Sequence, residues 1–277
     1  QGNLDMNSWL KKSKDKLHES ILEFIWRQWT NLGIAGTAAS PGDSRIIDPE
    51  ALLLFSLNPC RYDPRLTDEV IDWLFKNGRL INVQRLQQIQ KKYQFQCGPQ
   101  LSSIAEMLSH NATYKLKWSK LAGKYYTKPS EPLFTTKDRK NLPHPAIKDA
   151  DPDFKQHGLI RKRVNLRRHS QSPDMTQPAS LLLRLRSFIG INARAELLCL
   201  LNSSNEIHAS EAARQTGYYQ KTIQTILSEM ALSGIIQTRP INKFKYYKMK
   251  PDILDKLLKP NETTPTWINW PPLFKLL

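Results

Sequence analysis

The chain has 277 residues, with 41 basic and 25 acidic side chains and a formal net charge of +16. Hydrophobic residues make up 40% of it, enough to bury substantial cores, and the length suits two domains plus a linker. Its longest apolar runs, such as residues 51–55, are far shorter than the roughly 20 residues of a membrane-spanning helix. We therefore expect no membrane partner.

Three cysteines, Cys60, Cys97 and Cys199, are spread along the chain. Their number is odd, and none has a second thiol or a paired histidine nearby in sequence. This pattern predicts free, mostly buried thiols rather than disulfides or zinc ligands. We expect no metal ion and no other cofactor.

Residues 1–125 are predicted to form a helical module. An apolar stripe at helical spacing, ended by Gly33, predicts its first helix and consists of Leu17, Ile21, Phe24, Ile25, Trp29 and Leu32. A loop is expected from Gly33 to Arg45. Asp48 followed by Pro49 then predicts the start of a second helix, because a capping Asp and a proline in the first turn are common at helix starts.

Three further helices are predicted in this module. Pro64 starts the third helix and Gly78 ends it, while Asn82 can cap a fourth. A fifth is indicated by Leu101, Ile104, Ala105 and Leu108. The sequence does not state the task of the module, and the short helices followed by Leu80-Ile81 leave open a divergent helix-turn-helix.

Residues 126–179 are predicted to be a basic, Pro-rich linker. Between Lys128 and Pro178 the prolines are too frequent for a long helix: Pro129, Pro132, Pro143, Pro145, Pro152, Pro173 and Pro178. Two alternatives remain open. The segment is either a disordered tether that follows a DNA backbone or a packed spacer between two modules.

Positive charge is concentrated in the middle of the chain. Residues 1–114 hold 13 basic and 12 acidic side chains, residues 115–170 hold 15 and 5, and residues 175–277 hold 13 and 7. No acidic residue occurs between Asp153 and Asp174. Such a field attracts polyanions without reading their sequence, so this segment is predicted to track phosphates, with a merely solvated surface as the alternative.

Residues 192–250 carry the most specific pattern in the chain. Asn192 can cap a helix that extends through residue 201, a short helix over residues 208–216 ends at Gly217, and a longer helix is predicted over residues 218–233. The last helix would bury Ile223, Ile226, Leu227, Met230 and Ala231. Two β-rich runs, 235–239 and 244–249, then predict a basic hairpin.

At these residues the chain resembles the winged helix-turn-helix bacterial transcription regulators of the MarR-like and ArsR-like type. The similarity lies in Ala193-Arg-Ala-Glu-Leu-Leu198, Ser210-Glu-Ala-Ala-Arg-Gln-Thr-Gly217, Thr222-Ile-Gln-Thr-Ile-Leu227, Leu232-Ser-Gly-Ile-Ile236 and Tyr246-Tyr-Lys248. The resemblance implies a mainly α protein whose residues 180–277 form a winged helix-turn-helix with a small β-hairpin wing. Together with the positive charge, it predicts a transcription regulator that binds double-stranded DNA sequence-specifically. Because the sequence shows neither a signal peptide nor a membrane-spanning run, we expect the protein in the cytoplasm, associated with the nucleoid.

The expected DNA contacts fall into three groups. The residues expected to contact base edges in the major groove are Gln220, Lys221, Gln224 and Thr225. Tyr219 is expected to lie between a base and the backbone. Phosphates or the minor groove are assigned to Arg239, Asn242, Lys243 and Lys245. Sequence-independent affinity is assigned to Arg161, Lys162, Arg163, Arg167 and Arg168.

The apolar segment 266–277 contains Trp267, Trp270 and Phe274, which need a place to be buried. Packing within the chain is one interpretation. The other is an arm that embraces a second subunit, so that a homodimer forms through this tail or through the helical module and matches a palindromic operator.

No catalytic residues are predicted. The chain lacks a Gly-rich phosphate loop, a His-Glu-x-x-His helix and a Gly-x-Ser-x-Gly elbow. Two other functions remain open. One is an adaptor whose winged helix docks a protein, and the other is a metal-dependent nuclease, for which Asp149, Asp153 and Lys155 are the candidates.

Overall fold

The computed structural model describes residues 2–36, 43–135, 147–251, 253–259 and 263–277. The helices are α1 (Gly2–Asn31), α2 (Pro49–Ser56), α3 (Pro64–Asn77), α4 (Val83–Tyr93), α5 (Gly98–Ser109), α6 (Lys115–Trp118), α7 (Pro152–Lys155), α8 (Leu181–Ile189), α9 (Ala193–Ser203), α10 (Ala209–Thr216), α11 (Gln220–Leu232), α12 (Asp255–Leu258) and α13 (Trp270–Leu276). Short 3₁₀ helices lie at Pro59–Tyr62, Gly78–Leu80, Ile147–Asp149 and Pro178–Ser180. The strands are β1 (Glu131–Pro132), β2 (Leu159–Ile160), β3 (Ile207–His208), β4 (Ile236–Ile241) and β5 (Phe244–Met249).

The prediction of a mainly helical protein is confirmed, and so are several helix starts. The Asp48 carboxylate accepts a hydrogen bond from the backbone N–H of Ala51 at 3.1 Å. Asn82 caps α4 and Asn192 caps α9 through their side-chain oxygens. These caps satisfy backbone N–H groups that have no partner inside the first helical turn.

The chain folds into two compact units, and both are discontinuous in sequence. Unit 1 consists of Gln1–Ala39, Leu53–Arg79 and Phe95–Ser172, and unit 2 of Ser40–Leu52, Leu80–Gln94 and Pro173–Leu277. This division differs from the three consecutive regions 1–125, 126–179 and 180–277 expected from the sequence. Local patterns locate helices, but they do not reveal which distant helix each apolar face will meet.

Unit 1 is built around buried tryptophans. Trp29 and Trp73 meet edge to face with ring centroids 5.1 Å apart. Their indole N–H groups donate to the hydroxyl of Ser56 at 2.9 Å and to the carbonyl of Leu32 at 2.6 Å. Both rings are fully buried, so these hydrogen bonds satisfy donors that water does not reach.

Most of the described part of the expected linker belongs to unit 1, while residues 173–179 belong to unit 2. β1 and β2 form a short parallel pair, and Phe154, Leu159 and Ile160 are buried. The packed-spacer alternative therefore fits residues 147–172 better than the disordered tether does. The prolines Pro143 and Pro145 lie outside the described residues, as does part of the loop expected between Gly33 and Arg45.

Unit 2 combines helices with a three-stranded antiparallel sheet in the order β3-β5-β4. Its apolar core draws on α8, α9, α10, α11 and the sheet, with Leu185, Leu197, Leu201, Ala212, Ile223, Leu227 and Tyr247 among its buried members. Pro240 lies inside β4 and pairs with Lys245 of β5, although the sequence predicted that the first β-rich run ends at residue 239. A proline is tolerated there because β4 is an edge strand.

The aromatic residues of segment 266–277 are buried inside unit 2. Trp267, Trp270 and Phe274 are each less than a tenth exposed, and the indole N–H of Trp270 donates to the carbonyl of Ile46 at 2.7 Å. The tail aromatics thus pack within the chain, which is the first of the two interpretations, and a homodimer stays a prediction. Among the described helices, none combines the length and hydrophobicity that crossing a bilayer would require.

Candidate nucleic-acid interface

One face of α11 is polar and exposed. Its inner face buries Ile223, Ile226, Leu227 and Met230, at the spacing of one helical stripe. The opposite face exposes Gln220, Lys221, Gln224, Thr225 and Ser228. These five side chains carry one positive charge and several hydrogen-bonding groups, so this part of the surface suits an electronegative, hydrogen-bonding partner. The exposed carboxylate of Glu229 lies near the C-terminal end of the same helix and is paired with Arg194.

The turn before α11 is short and has fixed geometry. α10 ends at Gly217, whose φ of +82° is left-handed, and α11 begins three residues later at Gln220. A glycine adopts this conformation without the steric cost that a Cβ atom would bring. At its other end α10 is capped by His208, whose Nδ1 accepts from the backbone N–H of Ser210 at 3.3 Å.

Helix α4 holds the same turn from the side. The buried guanidinium of Arg85 donates its Nε–H to the carbonyl of Thr216 at 2.7 Å. The amide of Asn82 donates to the hydroxyl of Tyr218 at 2.9 Å. Burial raises the pKa of the Tyr218 phenol, which therefore stays neutral as an acceptor for Asn82. The start of α11 is thus fixed by residues more than a hundred positions earlier in the chain.

Arg85 belongs to a fully buried cluster of five charged groups. Its guanidinium bonds to Asp48 at 2.8 Å and to Glu50 at 2.6 Å. Arg186 bonds to the other oxygen of Glu50 at 2.6 Å and also to Glu196. Three carboxylates and two guanidinium groups leave a formal charge of −1 inside unit 2. Such a cluster tolerates the loss of an anion better than the loss of a cation.

The local field keeps Asp48 and Arg85 ionised. Burial alone would raise the pKa of Asp48, but the adjacent Arg85 outweighs it and holds that pKa below its ordinary value. Burial would lower the pKa of Arg85, and its carboxylate partners, first of all Asp48, raise it well above the usual range. Both groups remain charged at neutral pH, and their attraction stabilises the fold only while both are present.

The β4–β5 hairpin places its basic side chains on two different faces. Arg239 pairs with Tyr246 across the strands, whereas Lys245 pairs with Pro240, one position along the ladder. Cross-strand partners share a face and neighbouring positions alternate, so Arg239 and Lys245 point to opposite sides. All the predicted hairpin contacts are exposed: Arg239, Asn242, Lys243 and Lys245.

The tip of the hairpin consists of Asn242 and Lys243, between the paired residues Ile241 and Phe244. Asn242 has a φ of +54°, a left-handed conformation that asparagine accepts more readily than most side chains. Arg239 lies 3.5 Å from the Glu206 carboxylate, but its side chain is 71% exposed. An ion pair that open to water is weak, so the guanidinium remains accessible to a ligand.

The predicted basic segment 161–168 lies in unit 1 and is only partly accessible. Lys162, Arg163, Arg167 and Arg168 are exposed. Arg161 is 4% exposed, donates to the Asp68 carboxylate at 2.6 Å, and stacks over the rings of Phe134 and Phe154. Arg161 is therefore corrected from a phosphate contact to a structural residue, because its charge is neutralised and covered.

Sequence patterns did not identify Asn82 and Arg85 as neighbours of the α10–α11 turn, or Asp48 and Glu50 as partners of Arg85. Two of them were recognised as helix caps, which is a local role. The available signal was α4 itself, a polar helix that carries a single arginine among apolar positions. A buried position on an amphipathic helix rarely carries a charge without a partner.

The nuclease candidates do not form a metal-ligand cluster. Within the described ranges, no group of three or more His, Cys, Asp or Glu side chains is placed to hold a metal ion. Asp153 instead accepts from the ring of His110 at 2.8 Å, and this hydrogen bond raises the pKa of the imidazole. The prediction of free, buried cysteines is confirmed for Cys60, Cys97 and Cys199.

Comparison of the chain with protein-family models, with curated proteins and with solved structures finds no match in any of the three.

Proposed function

We propose that unit 2 is a winged helix-turn-helix that binds double-stranded DNA sequence-specifically and regulates transcription. The observation that carries the proposal is the exposed polar stripe of α11 from Gln220 to Ser228, which has no carboxylate and is held at its N-terminal end by a tight turn and a buried anchor. In this proposal α10 and α11 are the helix-turn-helix, α11 is the recognition helix, and the β4–β5 hairpin is the wing.

The order of elements supports this assignment. α9, β3, α10, α11, β4 and β5 follow one another, and β3 pairs with β5 to complete a small sheet beside the helices. Helix-turn-helix proteins join their two helices by a short turn that often contains glycine. Here that glycine is Gly217, directly after α10. The side chains near the start of the second helix then face the base edges.

The chemistry of the α11 stripe matches base-edge recognition. A glutamine side chain can form a bidentate pair with adenine, and a lysine can donate to the acceptors of guanine. Gln224 lies one turn after Lys221 on the same face of α11. Two such side chains in one groove would read adjacent base pairs, while the hairpin cations would hold phosphates without reading sequence.

The first test is selection of a preferred duplex from a randomised library with the full chain. The affinity for that duplex and for a scrambled one is then measured by fluorescence anisotropy at about 0.05 and 0.2 M salt. A preference that persists at the higher salt is expected. Equal affinity for both duplexes that disappears as salt rises would reduce the protein to a polyanion binder and overturn the proposal.

Two variants separate base reading from backbone contact. Gln224→Ala should reduce the preference for the selected duplex by about 1–3 kcal/mol, the worth of a bidentate base contact. Lys243→Ala, at the hairpin tip, should weaken binding to every duplex alike and lower the salt slope by about 1. If Gln224→Ala weakens binding to all duplexes equally, α11 does not read bases.

A second candidate function is an adaptor that docks a protein on the same unit. Exposed apolar side chains favour it, since Leu232 is 89% exposed and Phe244 is 57% exposed. Apolar contacts are little affected by salt, whereas phosphate contacts weaken steeply. Binding to a protein partner that Leu232→Ser abolishes, with no preference among duplexes, would select the adaptor.

A further inference from the structure

A basic cleft lies beside the start of α11. Its volume is about 430 Å³, and it is lined by Gln88, Lys91, Lys92, Gly217, Tyr218 and Tyr219. Half of these residues come from α4 and half from the turn that joins α10 to α11. None of the lining residues is acidic, so a bound anion would meet two ammonium groups and no opposing carboxylate.

The position of the cleft is fixed by hydrogen bonds from α4. Arg85 and Asn82 hold Thr216 and Tyr218, as described above. The ammonium group of Lys92 adds a longer bond to the carbonyl of Arg214 at 3.3 Å. Two walls that are tied together lose little conformational freedom when a ligand binds, which favours binding of a small charged group.

The two lysines differ in what they contact. Lys92 is exposed as a residue, but partial desolvation of its ammonium group, together with the nearby positive charge of Arg214, lowers its pKa. Lys91 is exposed, and its ammonium group has no hydrogen bond or ion pair among the residues that the structure describes. Lys91 is therefore the cation available to a ligand, and an anion would relieve the repulsion between Lys92 and Arg214.

The cleft is continuous with the exposed face of α11. Tyr219, which is 73% exposed, lines the cleft and directly precedes Gln220 and Lys221 of the stripe. A duplex whose bases face that stripe carries its sugar-phosphate backbone along the edge of the same groove. The charge of the cleft and its place at the end of the stripe fit a backbone phosphate.

We propose that this cleft binds a phosphate of the DNA backbone that flanks the bases read by α11, and that Lys91 makes the contact. The inference rests on the proposed function, and it adds α4 to the interface as a third element. A helix encoded about 130 positions before α11 would thus supply sequence-independent affinity and fix the register of the recognition helix on the duplex.

Lys91→Ala in the full chain tests the inference, with the selected and the scrambled duplex as probes. Affinity should fall about fivefold to tenfold on both at about 0.1 M salt, and the salt slope should fall by about 0.9. Lys256→Ala removes an exposed lysine of α12, which packs on α9, and serves as the charge-matched control. It should leave the affinity and the slope unchanged.

A scan with single neutral methylphosphonates in the selected duplex locates the contact. At one flanking position the substitution should weaken the wild-type protein but should weaken Lys91→Ala no further. If no position shows this coupling, or if Lys91→Ala behaves like Lys256→Ala, the inference is overturned while the proposed function stands.

The cleft would be a free-anion site if Lys91→Ala binds DNA normally while inorganic phosphate alone protects Lys91 of the wild-type protein from acetylation. That result would also overturn the inference. Absence of any DNA binding by the wild-type protein would overturn both.

Discussion

Replacing Arg85 by methionine should destabilise unit 2 severely. The guanidinium is fully buried and bonds to Asp48, to Glu50 and to the carbonyl of Thr216. Without it, three carboxylates would share one guanidinium, and the formal charge of the buried cluster would change from −1 to −2. Removing one member of a buried ion pair costs about 3–5 kcal/mol. Domains are stable by only about 5–15 kcal/mol, so the variant would be marginal.

Hydrogen exchange read by mass spectrometry suits this prediction, because it reports on peptides of unit 2 separately from unit 1. A loss of about 3–5 kcal/mol should lower the hydrogen-exchange protection factors of backbone amides in α9 and α11 by roughly two to almost four orders of magnitude, because a factor of ten corresponds to about 1.4 kcal/mol. Arg194→Met removes the exposed pair with Glu229 and is the matched control. Such a pair contributes less than about 1 kcal/mol, so protection should hardly change.

Asp48→Asn provides the opposite perturbation. It brings the formal charge of the cluster from −1 to 0 and keeps an oxygen that accepts from Arg85 and Ala51. We expect a loss of no more than about 2 kcal/mol, as for a weakened hydrogen bond. The reasoning fails if Arg85→Met costs less than about 1 kcal/mol, or if Asp48→Asn is the more harmful of the two.

Two further predictions concern acid stability and the α10–α11 turn. The pKa of Asp48 is lower in the folded chain than its ordinary value of 3.8, so its contribution to the free energy of unfolding should be complete above pH 3.8 and should be lost as the pH falls through the folded pKa. Urea unfolding between pH 6 and pH 2.5 should therefore show a steeper loss of stability towards acid for the wild type than for Asp48→Asn. Parallel curves for the two proteins would contradict this. Gly217→Ala should lower stability by about 1–2 kcal/mol, because an alanine is strained in the left-handed conformation of this residue. A clash adds nothing to this cost, since the added Cβ would meet its nearest neighbour, the Ile89 side chain, at an ordinary 3.6 Å. An unchanged melting temperature in calorimetry would refute that account.

Several helix starts and ends in this chain could be predicted from sequence because their causes are local, whereas α8 (Leu181–Ile189) and α13 (Trp270–Leu276) were not predicted. A capping side chain acts within three residues, as Asn82 and Asn192 do, and a glycine such as Gly217 ends a helix through its own φ angle. The exposed stripe of α11 followed from helical periodicity in the same way. These features depend on the segment itself, so the predicted side chains lie on the outward face.

The partners of charged residues could not be predicted, because they lie far apart in sequence. Arg161 sits in a run of basic residues, which suggested a phosphate contact, yet its carboxylate partner Asp68 is 93 positions earlier. Arg85 on α4 gave no hint of Thr216, 131 positions later. Composition counts charges, but only packing decides which of them are buried and neutralised.

The long separations within unit 2 also set an order of events during synthesis. Asp48 and Glu50 leave the ribosome long before Arg186. The Ile46 carbonyl accepts a hydrogen bond from the indole of Trp270, which is synthesised 224 residues later. Contacts that close such long loops form late, because the chain must lose its freedom before they stabilise it. Asp48 and Glu50 are therefore synthesised before either of the guanidinium groups that neutralise them, Arg85 and Arg186. A ribosome stalled before residue 186 would carry Asp48, Glu50 and Arg85 without the second cation of their cluster.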